Sequence, residues 1–128
     1  MKTLKEFILD TLLPYKKDKS ICGYDNFHKV CEYLTYDGKT CAIGKHMKKG
    51  PWQEFEGDAN TLFDEYDKNK ILKKSALNQN IDYIGWVLIQ SYHDKIPSLE
   101  CSSSISDIND TVTTLEKHFN LNLDELRF

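Results

Sequence analysis

Residues 31–44 read Cys31-Glu32-Tyr33-Leu34-Thr35-Tyr36-Asp37-Gly38-Lys39-Thr40-Cys41-Ala42-Ile43-Gly44, and the fold class expected of the chain turns on them. Val30, Cys31, Tyr33, Leu34, Thr35 and Tyr36 favour a strand, Asp37-Gly38 is a turn signal, and Thr40 to Ile43 offers a return strand. A β-hairpin is therefore expected over about 27–44, starting near Phe27. Two registers compete. A two-residue loop at Asp37-Gly38 would set Leu34 opposite Cys41, with Cys31 pointing away from Cys41. A three-residue loop at Tyr36-Asp37-Gly38, with Gly38 left-handed, would set Tyr33 opposite Cys41, so that Cys31, Tyr33 and Cys41 line one face. Glycine at the last loop position favours the second.

Outward from this segment the periodicity becomes helical. Leu4, Phe7, Ile8 and Leu12, with Thr11 between, share one face of a helix over 3–13, and Pro14 marks its stop. Gly50-Pro51 breaks the chain, after which Asp58 can cap a helix through Tyr66 with Leu62 and Phe63 inward. A further helical piece is expected over about Lys70–Leu77. The segment from about 80 to 93 carries Ile81, Tyr83, Ile84, Trp86, Val87, Leu88, Ile89 and Tyr92, apolar on nearly every side, which predicts a buried central helix. Cys101-Ser102-Ser103-Ser104 reads as a linker. One of Ser104, Ser106 or Asp107 then caps a C-terminal helix over about 105–119 whose stripe is Ile105, Ile108, Val112, Leu115 and Phe119. Leu121, Leu123, Leu126 and Phe128 form an apolar tail that must dock on its own core or on a second subunit of a homo-oligomer. The expected fold is thus a single α+β domain, 1–128, with the hairpin packed on a mainly helical body.

Bulk properties fit one folded domain. The chain has 128 residues, 40% hydrophobic and 29% charged. Its net charge of −3 argues against general nucleic-acid binding through phosphate contacts. The charge is uneven: residues 1–50 hold 10 lysines against 6 carboxylates, and residues 51–128 hold 7 basic side chains against 14 acidic ones. The longest unbroken apolar run, Trp86-Val87-Leu88-Ile89, is far short of the ~20 residues needed to cross a bilayer. Glu6 stands where a secretion signal would be apolar, so free thiols in a reducing cytoplasm are expected for the four cysteines.

The Cys-x-Tyr, Gly-containing turn and Cys-Ala-Ile-Gly of residues 31–44 resemble a signature of small proteins encoded by tailed phages and prophages, to which no biochemistry is assigned. That family tends also to carry a later helix ending in Leu-Gln-x-x-His-Asp, and Ile89-Gln90-Ser91-Tyr92-His93-Asp94 is similar. The family usually continues past the motif with an apolar-Pro-acidic stretch, whereas here Lys45-His46-Met47-Lys48-Lys49-Gly50-Pro51 follows. The resemblance implies a phage origin and a host cytoplasm.

Several groups could carry function. Cys41 with His93 as base and Asp94 as orienter would be a nucleophile set if the thiol and imidazole met. The alternative is a cysteine packed beneath the central helix, with His93 at that helix's C-terminal end. Cys22, Cys31 and Cys41 with a histidine are zinc-ligand types but lack the paired Cys-x-x-Cys spacing, so neither metal nor cofactor is expected. Lys45, His46, Lys48 and Lys49, with Trp52 as a stacking face, could hold a small nucleotide ligand, although no Gly-rich phosphate cradle is present. Glu54, Glu56, Asp58, Asp64, Glu65 and Asp67, interleaved with aromatic residues, could face a basic host protein. With the resemblance to phage-encoded proteins, the small size, the uneven charge and no convincing catalytic set, the expected function is a phage accessory protein that binds, and inhibits, a host enzyme or antiviral defence component. A nucleotide-capturing protein and a cysteine-dependent hydrolase are the alternatives.

Overall fold

The computed structural model describes residues 2–25, 30–99 and 101–128, with residues 25, 30 and 31 described by their backbone alone. Helices dominate: α1 (Leu4–Lys17), α2 (Ala59–Glu65), α3 (Lys68–Ile71), α4 (Lys74–Leu77), α5 (Tyr83–Lys95) and α6 (Ser102–Phe119), joined by short 3-10 turns. The expected α+β class with a β-hairpin is overturned, because no sheet layer accompanies these helices among the described residues. What pairing exists is a two-residue antiparallel ribbon, β1 (Tyr24–Asp25) with β2 (Val30–Cys31), and single bridges such as Leu34 with Thr40. Phe27 lies outside the described residues.

The reason the hairpin fails is specific. Its turn forms as expected: Gly38 has φ +88° and Leu34 opposes Thr40, the register of the three-residue loop. Past Thr40 the chain curls instead of extending. Lys45 N–H donates to Cys41 O at 3.0 Å and His46 N–H to Ile43 O at 2.9 Å, opening a 3-10 turn over Gly44–His46. Ile43 N–H, which a strand would spend on a neighbour, donates instead to Gln90 Oε1 of α5 at 3.1 Å. The Cys-Ala-Ile-Gly segment is thus a plug under α5, with Cys41, Ala42 and Ile43 fully buried. Gly44 is required there, since a Cβ on it would sit 1.9 Å from the Tyr33 carbonyl oxygen.

α1 begins at a capping box, with Thr3 Oγ1 accepting from Glu6 N–H and Glu6 Oε1 accepting from Thr3 N–H. The helix continues past Pro14 to Lys17, one turn beyond the expected stop. Proline forfeits one intrahelical bond, and burial of Tyr15, whose hydroxyl donates to Thr40 O at 2.8 Å, favours the extra turn. α5 starts at Asp82, which accepts from Gly85 N–H, and is central without being enclosed. Trp86, Ile89, Tyr92 and His93 face the core, while Tyr83 and Ile84 are 40% and 55% exposed. α6 starts at Ser102 with Cys101 as N-cap, so the expected serine linker is the helix's first turn. Its Ile108, Val112 and Leu115 pack on α5. The tail docks on its own chain: Leu123 and Leu126 are buried, Tyr92 donates to Leu126 O at 2.7 Å, and Lys16 donates to the carbonyls of Glu125 and Arg127. The expected 70–77 helix is split into α3 and α4, and Leu72 between them bridges to Met47, fixing the 3-10 turn against the body.

Candidate functional site

The two motif segments meet, and they form a closed brace. Gly23 N–H donates to His93 Nε2 at 3.0 Å, so Nδ1 carries the ring hydrogen and donates to Asp94 Oδ1 at 2.9 Å. Gln90 Nε2 also donates to Asp94 Oδ1, at 2.7 Å, while Gln90 Oε1 holds Ile43. Asp94 therefore does orient His93 despite being its sequence neighbour. Both imidazole nitrogens are consumed, the ring is wholly buried, and the Tyr15 ring packs edge-on against it at 4.6 Å. Cys41 is likewise enclosed, and its sulfur accepts from Gly44 N–H at 3.2 Å. Burial pushes the Cys41 thiol up to about 12, which removes the thiolate that nucleophilic attack would need. The cleft beside it, between Tyr33, Asp58, Gln90 and Asp94, measures about 40 Å³, too little for a substrate. The side chain of Cys31 is not among those described. Among the described residues no three His, Cys, Asp or Glu side chains converge as a metal set.

The basic stretch after the motif divides. Lys45 turns inward: its ammonium donates to Thr11 O at 2.7 Å and lies 4.2 Å over the Tyr15 ring, and burial lowers it to about 8. Lys48 and Lys49 are exposed. Trp52 is half-buried against Tyr66 and donates to Lys48 O at 2.7 Å. The five residues expected to hold a nucleotide do not converge on one described pocket, since only His46 lines the one between α1 and α4. His46 instead leaves them and enters a pocket.

That pocket, about 420 Å³, opens between α1 and α4. Phe7, Thr11 and His46 form its floor, Ser75, Asn78 and Gln79 its far wall, and Lys2 with Asp10 its rim. Phe7 and Thr11 arrive on the buried face of α1 at i and i+4. His46 is delivered by the 3-10 turn, which Lys73 N–H pins by donating to His46 O at 2.7 Å. Gln79 joins the wall to the rim through a 3.1 Å bond to Lys2 O. The His46 ring lies 4.6 Å from that of Phe7 and 2.9 Å, through Nε2, from Thr11 Oγ1. Burial, reinforced by Lys45, Lys73 and Lys2, pushes His46 down to about 4, so the ring is neutral at physiological pH. Volume, aromatic floor and a few converging polar groups are the attributes of a small-molecule site.

The acidic group is arrayed on the opposite chemistry. Glu54, Glu56, Asp58, Asp64, Glu65 and Asp67 are all exposed. Asp58 and Asp67 serve as helix caps, accepting from Thr61 N–H and Asn69 N–H at 2.9 Å each. Among the described residues the other four make no ion pair. Between them Phe55 and Tyr66 meet edge to face at 6.0 Å, both half-buried, and Tyr33 stands 6.5 Å from Phe55.

One signal for the pocket was present in the sequence: Thr11 interrupts the apolar face of α1, and a polar residue there requires a partner. No family model, curated protein or solved structure matches this chain. No helix among the described residues is long and apolar enough to cross a membrane.

Proposed function

We propose that this protein acts by binding, and that its principal ligand is a small molecule held in the His46 pocket. The observation that carries this reading is the pocket itself. It is an open site of about 420 Å³ with an aromatic floor and polar walls, in a chain whose Cys41 is buried and whose His93–Asp94 pair is closed and fully bonded. Catalysis by Cys41 is not supported, because the sulfur has neither access nor a free base. The resemblance to phage-encoded proteins would place the ligand in a bacterial host, where sequestering a signal molecule or metabolite is a function open to so small a domain.

Thermal-shift screening of small metabolites tests the reading. A ligand that binds only the folded state raises the melting temperature by mass action, and Ser75→Trp, which fills the pocket from an exposed position, should abolish the shift without lowering the unliganded melting temperature. A ligand whose stabilisation survives Ser75→Trp would place the site elsewhere.

A second reading rests on the patch of Phe55 and Tyr66 set among Glu54, Glu56, Asp64 and Glu65. Half-buried rings inside a carboxylate field suit a basic protein surface. Its test is a salt-sensitive association with such a host protein that the double variant Glu54→Lys, Asp64→Lys loses.

A further inference from the structure

We infer that the His46 pocket selects an uncharged, planar heterocycle that donates an N–H to His46 Nδ1; this rests on the pocket reading above. The argument starts from one hydrogen. Thr11 has a single hydroxyl hydrogen, and Oγ1 lies 2.8 Å from Phe7 O, an acceptor with no hydrogen of its own. The hydroxyl must donate there, as threonines in helices commonly do to the fourth preceding carbonyl. At 2.9 Å from the same oxygen, His46 Nε2 must then be the donor. A neutral imidazole carries one ring hydrogen, so Nδ1 is left as a bare lone pair. Among the described residues nothing donates to it. It is also not a sealed, orphaned atom, since among the described residues no buried side-chain nitrogen or oxygen lacks a partner.

The remaining lining narrows the ligand. Lys2 and Asp10 neutralise one another at 2.7 Å across the rim, so the residues that line the pocket carry no unpaired charge. Lys45 and Lys73, the other cations near His46, donate to backbone carbonyls of Thr11 and Lys45. A phosphate or carboxylate would therefore shed its water for little return. Phe7, buried beside His46, makes the floor apolar and aromatic, which suits a ring. On the wall, Gln79 has spent an amide hydrogen on Lys2 O but keeps its oxygen as an acceptor, and Asn78 has no side-chain partner among the described residues. A bicyclic N–H heterocycle meets all three demands: a donor for Nδ1, a face for Phe7 and a polar edge for the amides.

Calorimetry and proton NMR of the full chain with three probes, indole, 1-methylindole and indole-3-carboxylate, test this. Indole should bind about three- to tenfold more tightly than 1-methylindole, the range one hydrogen bond provides, and more tightly than the carboxylate, with shifts at Phe7 and His46. In Thr11→Val, an isosteric change that frees the ring hydrogen to move to Nδ1, the preference for indole over 1-methylindole should fall towards unity while all three probes still bind. Equal affinity of indole and 1-methylindole in the natural chain, or tighter binding of the carboxylate, overturns the ligand class and leaves the pocket reading standing. Failure of every probe to move Phe7 or His46 removes both.

Discussion

Two histidines, 47 positions apart in the chain, are held by opposite rules. His93 sits where the sequence suggests chemistry, beside an aspartate and within a Cys-containing motif pair, yet both its nitrogens are bonded inside the core. His46 sits in what looks like a solvated basic loop, yet it turns inward to line an open pocket, is fixed by one hydroxyl, and has no partner for its other nitrogen among the described residues. The difference teaches that reactive residue types do not make a site. An unspent valence facing accessible volume does, and in this molecule the two criteria select different histidines.

Breaking the brace should produce the largest effects. Gly44→Ala drives a methyl into the Tyr33 carbonyl, a backbone contact that cannot yield cheaply. Denaturant unfolding should show a loss of about 3 kcal/mol or more. Gln90→Leu keeps the volume but strands Ile43 N–H in the core, at a cost of roughly 1–3 kcal/mol. It should leave pocket affinity unchanged well below the melting temperature, because Gln90 does not line that pocket. A parallel loss of ligand binding would show that the two regions are one unit.

Acid sharpens the contrast at His46. Its ordinary value of 6.5 is pushed down to about 4 in the fold. Between those values the unfolded chain takes up a proton that the folded one resists. The stability contribution is therefore full above pH 6.5 and declines as pH falls towards 4. The charged groups around the ring are Lys2, Lys45 and Lys73, with Asp10 on the rim, and lysines oppose protonation throughout that range. His46→Phe should flatten the slope, a difference of roughly 1–3 kcal/mol across the window; an unchanged slope would assign the acid sensitivity elsewhere.

The smallest effect concerns the thiols. Cys101 is exposed at the start of α6, and hydrogen bonds from Ser103 and Ser104 lower it to about 7. Burial pushes Cys22 and Cys41 up to about 12. Iodoacetamide at neutral pH should label Cys101 first, with a rate midpoint near pH 7, and spare Cys22 and Cys41 until the protein unfolds. Cys101→Ser should alter stability by less than about 0.5 kcal/mol.

Much of the helical frame was legible in the sequence. The α1 face, the Asp58 cap, the Ile108–Val112–Leu115 stripe and the left-handed Gly38 all follow from short-range rules. The return strand was misread because its fate depends on Gln90, 47 residues away, which takes the Ile43 amide from any ladder. The serines after Cys101 look like a linker because serine has middling helix propensity, and only the packing of Ile108 onward against α5 secures the turn before them. Beyond the polar Thr11 on the apolar face of α1, the pocket was hidden for the same reason as the strand. Its floor needs α1 and the Gly44–His46 turn, and its wall needs α4; no local pattern announces that they converge.

The most direct test is a nitrogen-15 NMR spectrum of the histidine rings at neutral pH. Opposite tautomers are predicted: His93 protonated on Nδ1 with Nε2 bare, and His46 protonated on Nε2 with Nδ1 bare. Finding the His46 hydrogen on Nδ1, or His93 with the same tautomer as His46, would contradict the assignment of one histidine to the frame and the other to the ligand.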